Sequence, residues 1–191
     1  MNTKFKVKDL VLTAAMALCS ILIFWICGVT GLSPYTLLAL APMWALLGGI
    51  TFYMVAAKTK SPYMMFVFCF IQGFNGLSLL SFLAGILSGV VIMLLCRKGA
   101  CENMRLLRVC YIIFTAAFAC SNVIIPFMFF ADQTVANYAQ SVGESYMNIV
   151  KSLASVPVLL VLLVVVIVAA FFGGAIAQKL LKKHFKKAGT V

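Results

Sequence analysis

Uncharged polar side chains inside apolar sequence are the groups of this chain best suited to bind a small molecule. The stretch FCFIQGFNGLSLL (68–80) places two amides and a serine in an uncharged run, and ACSNVIIPF (119–127) places a third amide in another. Amides donate and accept hydrogen bonds and aromatic rings stack, so the combination suits a small polar or heteroaromatic molecule. We predict a substrate-binding site formed by Gln72, Asn75, Ser78, Asn122, Tyr35 and Tyr138.

Each of these residues also has a purely structural interpretation. Gln72 and Asn75 suit a turn, where their amides cap backbone groups. Asn122 suits an interhelical hydrogen bond, and Tyr35 suits the belt of aromatic residues at a membrane surface. Both interpretations stay open from the sequence, since a buried amide in a membrane needs partners in either case.

The sequence contains no pattern typical of catalysis, ATP binding or metal ligation. It has no G-x-x-x-x-G-K-[ST] motif, no H-E-x-x-H motif and no Ser/His/Asp set, and its one histidine lies in the C-terminal tail. Every acidic residue is predicted at or outside a membrane surface, whereas a proton- or sodium-driven carrier usually has one within the bilayer. We therefore expect no enzyme activity, no cofactor and no metal, and we disfavour ion-coupled transport.

The elements that must position the polar residues are membrane-spanning helices. Of the 191 residues, 64% are hydrophobic and 10% are charged, against about 25% charged in a soluble domain. Several windows carry about 18 or more apolar residues, enough to cross a bilayer. The first span is expected to be retained, because its apolar run is longer than that of a secretory signal. We predict an all-α integral membrane protein, a single domain over 1–191, with six transmembrane helices at about 10–29, 35–57, 62–74, 78–96, 107–130 and 156–178.

The basic residues indicate how these spans are oriented. Every Lys and Arg except Lys151 falls in segments that the six spans place on one side, and Lys151 lies on the other side with Asp132 and Glu144. The positive-inside rule then predicts that both termini are cytoplasmic. We therefore attribute the net charge of +11 to contact with the lipid bilayer and expect no nucleic-acid partner.

The stretch QGFNG (72–76) is predicted to be a tight turn between two short spans. Positions 60 and 97 are both expected on the cytoplasmic side, so the chain between them crosses twice, although each crossing usually takes about 20 residues. Gly73 and Gly76 permit a reversal, and Asn75 tolerates left-handed backbone geometry. The turn should lie below the outer surface, where irregular backbone is tolerated beside a cavity or under protein cover.

The outer loop between spans 5 and 6 is predicted to contain an amphipathic helix. Apolar residues recur there at spacings of three and four, with polar residues between them, which is one face of such a helix. The apolar set is Val135, Tyr138, Val142, Tyr146, Ile149 and Leu153. The helix either lies in the membrane interface or covers the bundle as a lid over 133–153, and the sequence favours neither.

Small side chains crowd the cytoplasmic half of the first span. Thr13 with Ala17, and Ala15 with Cys19, are pairs of small residues four positions apart. Such pairs let another helix approach closely. That helix belongs either to the same bundle or to another protein.

Three segments of the sequence resemble a known family of membrane proteins. They are KDLVLTAAMAL (8–18), WALLGGI (44–50) and GGAIAQKLLKKHFKKAG (173–189). With six short spans, cytoplasmic termini, no ATPase motif and a polar outer mouth, the chain resembles the S-component of an energy-coupling factor (ECF) transporter. The finer resemblance is to the Trep_Strep (MptD-like) group of S-components.

The resemblance implies a micronutrient importer of the bacterial plasma membrane. S-components capture a small molecule from outside and associate with a T-component and two ECF ATPases, which supply the energy. The family contacts its T-component through an Ala-x-x-x-Ala pattern in the first helix, whereas here Ala14 is followed by Leu18. The resemblance therefore implies an interface formed by the small residues Thr13, Ala14, Ala15 and Ala17. Cobalt- and nickel-type members have a histidine close to the N-terminus, and this chain has none there.

Two other classes of function stay open from the sequence. A stand-alone facilitator or small channel would have the same spans but no energy partner, and co-purification separates it from an S-component. An integral-membrane enzyme is disfavoured, because no acidic residue or histidine is predicted within the bilayer.

Overall fold

The computed structural model of the chain describes residues 6–76, 78–98 and 101–187, with side chains as far as Lys183. These residues are almost entirely helical, and no strand occurs among them, which confirms the all-α prediction. The helices are α1 (Val7–Cys27), α2 (Leu40–Leu47), α3 (Gly49–Thr59), α4 (Pro62–Gly73), α5 (Leu79–Arg97), α6 (Met104–Ala119), α7 (Ile125–Phe129), α8 (Ala131–Val142), α9 (Glu144–Leu153) and α10 (Val156–Lys187). Short 3-10 segments lie at Gly28–Leu32, Leu37–Ala39 and Phe74–Gly76, and a π-helical turn lies at Cys120–Ile124.

Five helical segments among the described residues are long and apolar enough to cross a membrane. They are Val7–Leu32, Leu37–Thr59, Leu79–Arg97, Met104–Phe129 and Val156–Lys183. The predicted third span is also a helix, but the 12 residues of α4 rise only about 18 Å at 1.5 Å per residue. That length is short of the roughly 30 Å hydrocarbon core of a bilayer. Five of the six predicted spans therefore coincide with helices long enough to cross a membrane, and the remaining one is a short helix.

The side chain of Arg97 lies at the open end of the hairpin that α4 and α5 form. The Arg97 guanidinium, at the end of α5, donates to Tyr63 Oη at 3.1 Å and lies 5.4 Å from the centre of the Tyr63 ring. Tyr63 is in the first turn of α4, so the chain returns to the end of the bundle from which α4 started. Helices α4 and α5 therefore form a hairpin, with the QGFNG turn at its far end.

Basic residues of other helices lie at the same end of the bundle. Arg108 Nη2 donates to Gln178 Oε1 at 2.7 Å, and Gln178 Nε2 donates to Tyr53 Oη at 3.3 Å, which joins α6, α10 and α3. Helix α3 leads directly into the start of α4, so this network lies at the open end of the hairpin. We call it the basic end, defined by Lys58, Lys60, Arg97, Arg108 and Lys179.

Fully buried aromatic side chains fill the middle of the bundle. The ring centres of Trp44 and Phe114 are 5.5 Å apart, those of Phe114 and Phe52 are 5.7 Å apart, and those of Phe52 and Tyr111 are 5.2 Å apart. Rings at these separations attract each other in tilted and offset arrangements. We call Trp44, Phe52, Tyr111 and Phe114 the aromatic column. Tyr111 lies next to Tyr53, so the column reaches the basic end.

Two of the sequence segments quoted above pack against each other. Gly173, in GGAIAQ, lies so close to α2 that a Cβ on it would be 2.5 Å from Ala45 O and 2.6 Å from Leu46 O. Tyr111 Oη donates to the same Ala45 carbonyl at 2.7 Å. The segments WALLGGI and GGAIAQ are therefore parts of one junction in which two helix backbones meet without a side chain between them.

The outer loop forms two helices where the sequence predicted one. Gly143 has φ of +94°, which glycine adopts readily, and it separates α8 from α9. The break changes the face that packs inward, because Met147 and Val150 are the buried side chains of α9. Asp132 at the start of α8 and Lys151 near the end of α9 form a salt bridge, so the two helices make a hairpin.

Candidate functional site

Two adjoining cavities lie at the end of the bundle opposite the basic end. The smaller has a volume of about 350 Å³ and the larger a volume of about 540 Å³. Asn122, Thr134 and Tyr138 line both cavities and form a shared wall. Both volumes fall in the range of about 300–1,000 Å³ that small-molecule sites occupy. The turn between α4 and α5 contributes to both, which places them at the closed end of that hairpin.

Aromatic rings and the amides of Asn75 and Asn122 line the smaller cavity. The rings are those of Phe24, Trp25, Phe118, Phe127, Tyr138 and Tyr146. Asn75 also lines it, and its Nδ2 is buried without a hydrogen-bond partner among the described residues. At its inner side the Phe118 ring lies 4.5 Å from the ring of Trp44, so the aromatic column begins directly beneath the cavity. A buried donor that lacks an acceptor is unfavourable, and an acceptor on a ligand would remove that cost.

Hydroxyl and amide groups line much of the larger cavity. They belong to Ser78, Ser121, Asn122, Gln133, Thr134, Asn137 and Tyr138. Ser78 also caps α5, since its Oγ accepts from the backbone nitrogen of Ser81 at 3.1 Å. None of the described residues that line either cavity is Lys, Arg, Asp or Glu. The site is therefore richer in hydroxyls and amides at one side, richer in aromatic rings at the other, and uncharged throughout its described wall.

The π-helical turn brings Asn122 into the wall between the cavities. Asn122 Nδ2 donates to Phe118 O at 2.9 Å and to Ser121 Oγ at 3.2 Å, and its Oδ1 accepts from Ser81 Oγ at 3.3 Å. Pro126, four residues later, has no amide hydrogen, so regular α-helical bonding cannot continue across this point. Single π-helical turns inside α-helices are frequent at functional sites. Asn122 is thus held by both α5 and its own helix while it faces the cavities.

Gly76 allows the QGFNG turn to lie directly on Asn122. A Cβ at Gly76 would overlap both Ser81 Oγ and Asn122 Oδ1, so a larger residue has no room there. The turn does not use the left-handed geometry that Asn75 tolerates, because the only positive φ angles of the described residues are at Lys60 and Gly143. Gly76 therefore permits the close approach of the turn to Asn122, and a 3-10 segment makes the turn.

The α8–α9 hairpin covers the cavities. Thr134 Oγ1 donates to Pro126 O at 3.3 Å, and Tyr146 Oη donates to Gly31 O at 2.5 Å, which attaches α9 to the segment after α1. The Lys151 ammonium holds the pKa of the Asp132 carboxyl below its usual value, by a hydrogen bond first and by its charge second. The salt bridge is therefore complete at neutral pH and is lost only as the pH falls through that lowered pKa.

Comparison with known proteins identifies a family. A family model described as a hypothetical bacterial integral membrane protein (Trep_Strep) matches residues 7–187. The chain belongs to the Trep_Strep family. No curated protein and no solved structure matches it. The family is one of integral membrane proteins, and the chain has several helices apolar enough to cross a membrane. Together these findings show a multi-pass integral membrane protein.

Four of the six predicted site residues of this Trep_Strep protein line the cavities. Asn75 lines the smaller cavity, Ser78 lines the larger one, and Asn122 and Tyr138 line both. The other two lie elsewhere: Tyr35 is 68% exposed in the turn between the two 3-10 segments that follow α1, and Gln72 is fully buried against α1. The structure therefore brings together only part of the predicted set.

Gln72 joins α4 to α1. Its Nε2 donates to Ala17 O at 2.8 Å, and its Oε1 is buried without a partner among the described residues. The amide lines neither cavity. Its position fits the structural interpretation of this residue, an interhelical hydrogen bond in the bundle core.

We expect Gln72→Ala to lower the free energy of unfolding by about 2 kcal/mol, because it leaves a core cavity as well as an unmade hydrogen bond. Gln72→Leu should change it by less than about 1 kcal/mol, since interhelical hydrogen bonds in membranes are weak and the unpaired Oε1 is removed as well. Unfolding of both variants in denaturing detergent, beside a ligand-affinity measurement, tests this. A weakened affinity in Gln72→Leu at unchanged stability would instead assign the residue to the binding site.

The small residues of α1 divide between two faces. Thr13 and Ala17 are fully buried inside the bundle, where Thr13 Oγ1 donates to Asp9 O and Ala17 O accepts from Gln72. Ala14 is half-buried, whereas Ala15 is exposed together with Cys19. Of the two small pairs that the sequence singles out, one packs internally and the other, Ala15 with Cys19, lies on the outer surface. A partner helix therefore has access to Ala15 and part of Ala14, but not to Thr13 or Ala17.

Sequence reasoning missed several residues of the site. Gln133 and Asn137 line the larger cavity from α8, and Thr134 belongs to the shared wall. A signal existed, because Gln133 with Asn137 and Thr134 with Tyr138 are each spaced by four, which places each pair on one side of a helix. No cluster of three metal-ligating side chains occurs in the described part of the chain, so the site offers hydrogen bonds and ring contacts.

Proposed function

We propose that this protein is the substrate-binding S-component of an ECF-type importer in the bacterial plasma membrane. It captures a small molecule from the outer side in the two cavities, and the α8–α9 hairpin acts as their lid. It has no catalytic role and no cofactor, and a T-component with two ECF ATPases supplies the energy. Both termini are cytoplasmic, and α4 with its 3-10 extension makes the sixth, short passage.

One observation carries this proposal: the cavities are closed toward the basic end by the aromatic column. Phe118 lines the smaller cavity and contacts Trp44, and from there Phe114, Phe52 and Tyr111 continue inward with no more than 2% of any side chain exposed. Close-packed rings leave no path for a polar molecule. A site that is closed on one side suits capture, and it favours an S-component, whose release step is driven by a partner, over an open channel.

The distribution of charge supports the orientation. The basic end carries lysine and arginine from several helices, as expected of a cytoplasmic surface. The opposite end carries the cavities and Lys151, which is neutralised by Asp132. The sixth passage is supported by the return of α5 to the start of α4 through Arg97 and Tyr63.

Co-purification distinguishes the second candidate function, a stand-alone facilitator or channel, from an S-component. From the native bacterium, the tagged protein should bring down a T-component and two ATPases in the proposed case. Recovery of a homo-oligomer without ATPases, together with substrate flux through liposomes that contain this protein alone, would contradict the proposal. Mass spectrometry of small molecules released from the same preparation identifies the substrate.

We expect Ala15→Trp to block uptake in cells while ligand affinity and melting temperature stay within error of the unchanged protein. Ala15 is exposed, so the larger ring does not disturb the bundle, but it prevents a T-component helix from approaching the Ala15–Cys19 pair. Val164→Trp on α10 is the matched control, because Val164 is 60% exposed on a helix with no proposed contact. Normal uptake in Ala15→Trp would remove this face from the coupling surface.

A further inference from the structure

The chemistry of the two cavities differs in a way that bears on the shape of the ligand. The smaller cavity is lined by aromatic rings, among them those of Trp25, Phe118 and Tyr146. The larger one presents polar side chains, among them the exposed amides of Gln133 and Asn137. Ring faces suit a flat ring, and hydroxyls and amides suit groups that both donate and accept hydrogen bonds. Asn122, Thr134 and Tyr138 line both cavities, so the two lie side by side.

No charge in the described wall could balance a charge on the ligand. The nearest charged residue in sequence, Asp132, precedes Gln133 of the larger cavity, but it is bound to Lys151 and its side chain is 92% exposed. An anionic group moved from water into a site that lacks a cation is strongly disfavoured. The site therefore favours an uncharged molecule.

The unpartnered amide of Asn75 adds a requirement on the ring. Its Nδ2 is shielded from water and lacks an acceptor among the described residues, while the residue itself lines the smaller cavity. The terminal torsion of asparagine is broad, so a turn of the amide can present this donor to a bound molecule. A ring nitrogen or ring carbonyl would accept from it, whereas a hydrocarbon ring would not.

From these three features the geometry points to an uncharged ligand of two parts. A flat heteroaromatic ring with a hydrogen-bond acceptor occupies the smaller cavity, and a hydroxyl-bearing arm occupies the larger one, which is the composition of a nucleoside. The inference rests on the proposed function only in taking these cavities as the substrate site.

Binding of matched compounds to the full-length protein in lipid nanodiscs tests this. The probes are adenosine, guanosine, cytidine and uridine, with the 5′-monophosphate and the free base of each, measured by calorimetric titration. At least one nucleoside should bind, its monophosphate at least about ten-fold more weakly, because the phosphate finds no cation. Its free base should bind roughly five- to 150-fold more weakly, because the hydrogen bonds of the arm are lost. Equal binding of the monophosphate, equal binding of the free base, or binding of none of the four nucleosides would overturn the inference.

Two variants assign the parts of the ligand to the two cavities. Asn75→Leu should weaken the nucleoside and the free base by the same factor, since it removes the donor to the ring. Asn137→Leu, at an exposed position of α8, should weaken the nucleoside and leave the free base unchanged. Gln140→Leu is the control, exposed on α8 but outside both cavity walls. If Asn75→Leu does not fold, Asn137→Leu decides, and equal losses for nucleoside and base in that variant would overturn the assignment.

The co-purification experiment keeps this inference separate from the proposed function. ATPases recovered with the protein, but no nucleoside bound, would reject the ligand class and leave the importer standing. A bound nucleoside without ATPases would reject the importer and leave the ligand class standing.

Discussion

A Gly173→Ala variant should unfold more readily than the unchanged protein, by about 1–3 kcal/mol, which is the usual cost of forcing an extra group into a packed core. The added Cβ would lie 2.5 Å from Ala45 O and 2.6 Å from Leu46 O, well inside van der Waals contact. Both obstacles are backbone oxygens, which cannot turn aside as the end of a side chain can. Helices α2 and α10 must therefore separate.

Separation would also disturb the hydrogen bond from Tyr111 to Ala45 O, which ties the aromatic column to α2. Alanine is a better helix former than glycine by roughly 0.5–1 kcal/mol, so the clash must exceed that gain for the variant to be destabilised. Unfolding in denaturing detergent, followed by circular dichroism, measures the net effect.

Gly28→Ala is the matched control for this prediction. Gly28 follows α1 with φ of −56°, and a Cβ there would meet nothing within 4 Å. The same substitution should therefore leave stability unchanged or raise it slightly. If Gly173→Ala unfolds like the control, α10 does not approach the α2 backbone as closely as described.

The spans were predictable because the apolar runs are long and their ends are charged. The limits of the α4–α5 hairpin were marked in the sequence by Lys58, Lys60 and Arg97. The structure places the start of α4 and the end of α5 together. The break at Gly143 was not predictable from periodicity, because Val142 and Tyr146 are four apart and keep the helical phase across it. Only the backbone angle of the glycine reveals that two helices are present.

The sequence predicted the residue types of the candidate site better than it predicted where each side chain points. Gln72 and Asn75 are three residues apart, yet the first packs against α1 and the second lines a cavity, because α4 changes to a 3-10 turn between them. Pro126 signalled a break in regular helical bonding, but a proline does not specify how its neighbours adjust. The resulting π-helical turn, which places Asn122 between the cavities, depends on packing against Ser81 that the sequence does not encode locally.

The largest loss of ligand binding is expected from Asn122→Leu, because Asn122 lines both cavities. Both amide hydrogens of Asn122 are already donated to Phe118 O and Ser121 Oγ, so its Oδ1 is the atom that offers a free lone pair to a donor on the ligand. Leucine has a similar size but cannot accept a hydrogen bond, so that ligand group loses its partner and the shared wall loses the hydrogen bonds that fix it. One hydrogen bond to a buried polar group is worth about 1–3 kcal/mol, or roughly a five- to 150-fold change in affinity, and here the upper end is expected. Calorimetric titration with the small molecule that co-purifies from the native bacterium measures this change.

Stability separates a binding role of Asn122 from a clamp between helices. In the variant Ser81 Oγ loses an acceptor but keeps its contact with Ser78 Oγ at 3.3 Å. Phe118 O and Ser121 Oγ lose the Asn122 donor but keep their own hydrogen bond at 3.0 Å, so the melting temperature should fall only slightly. Ser88→Ala on α5 is the control, since the Ser88 hydroxyl donates to Ala84 O and lines neither cavity. Both quantities are measured on the same preparations. A markedly lower melting temperature with unchanged affinity would make Asn122 a structural clamp and remove the shared wall from the binding site.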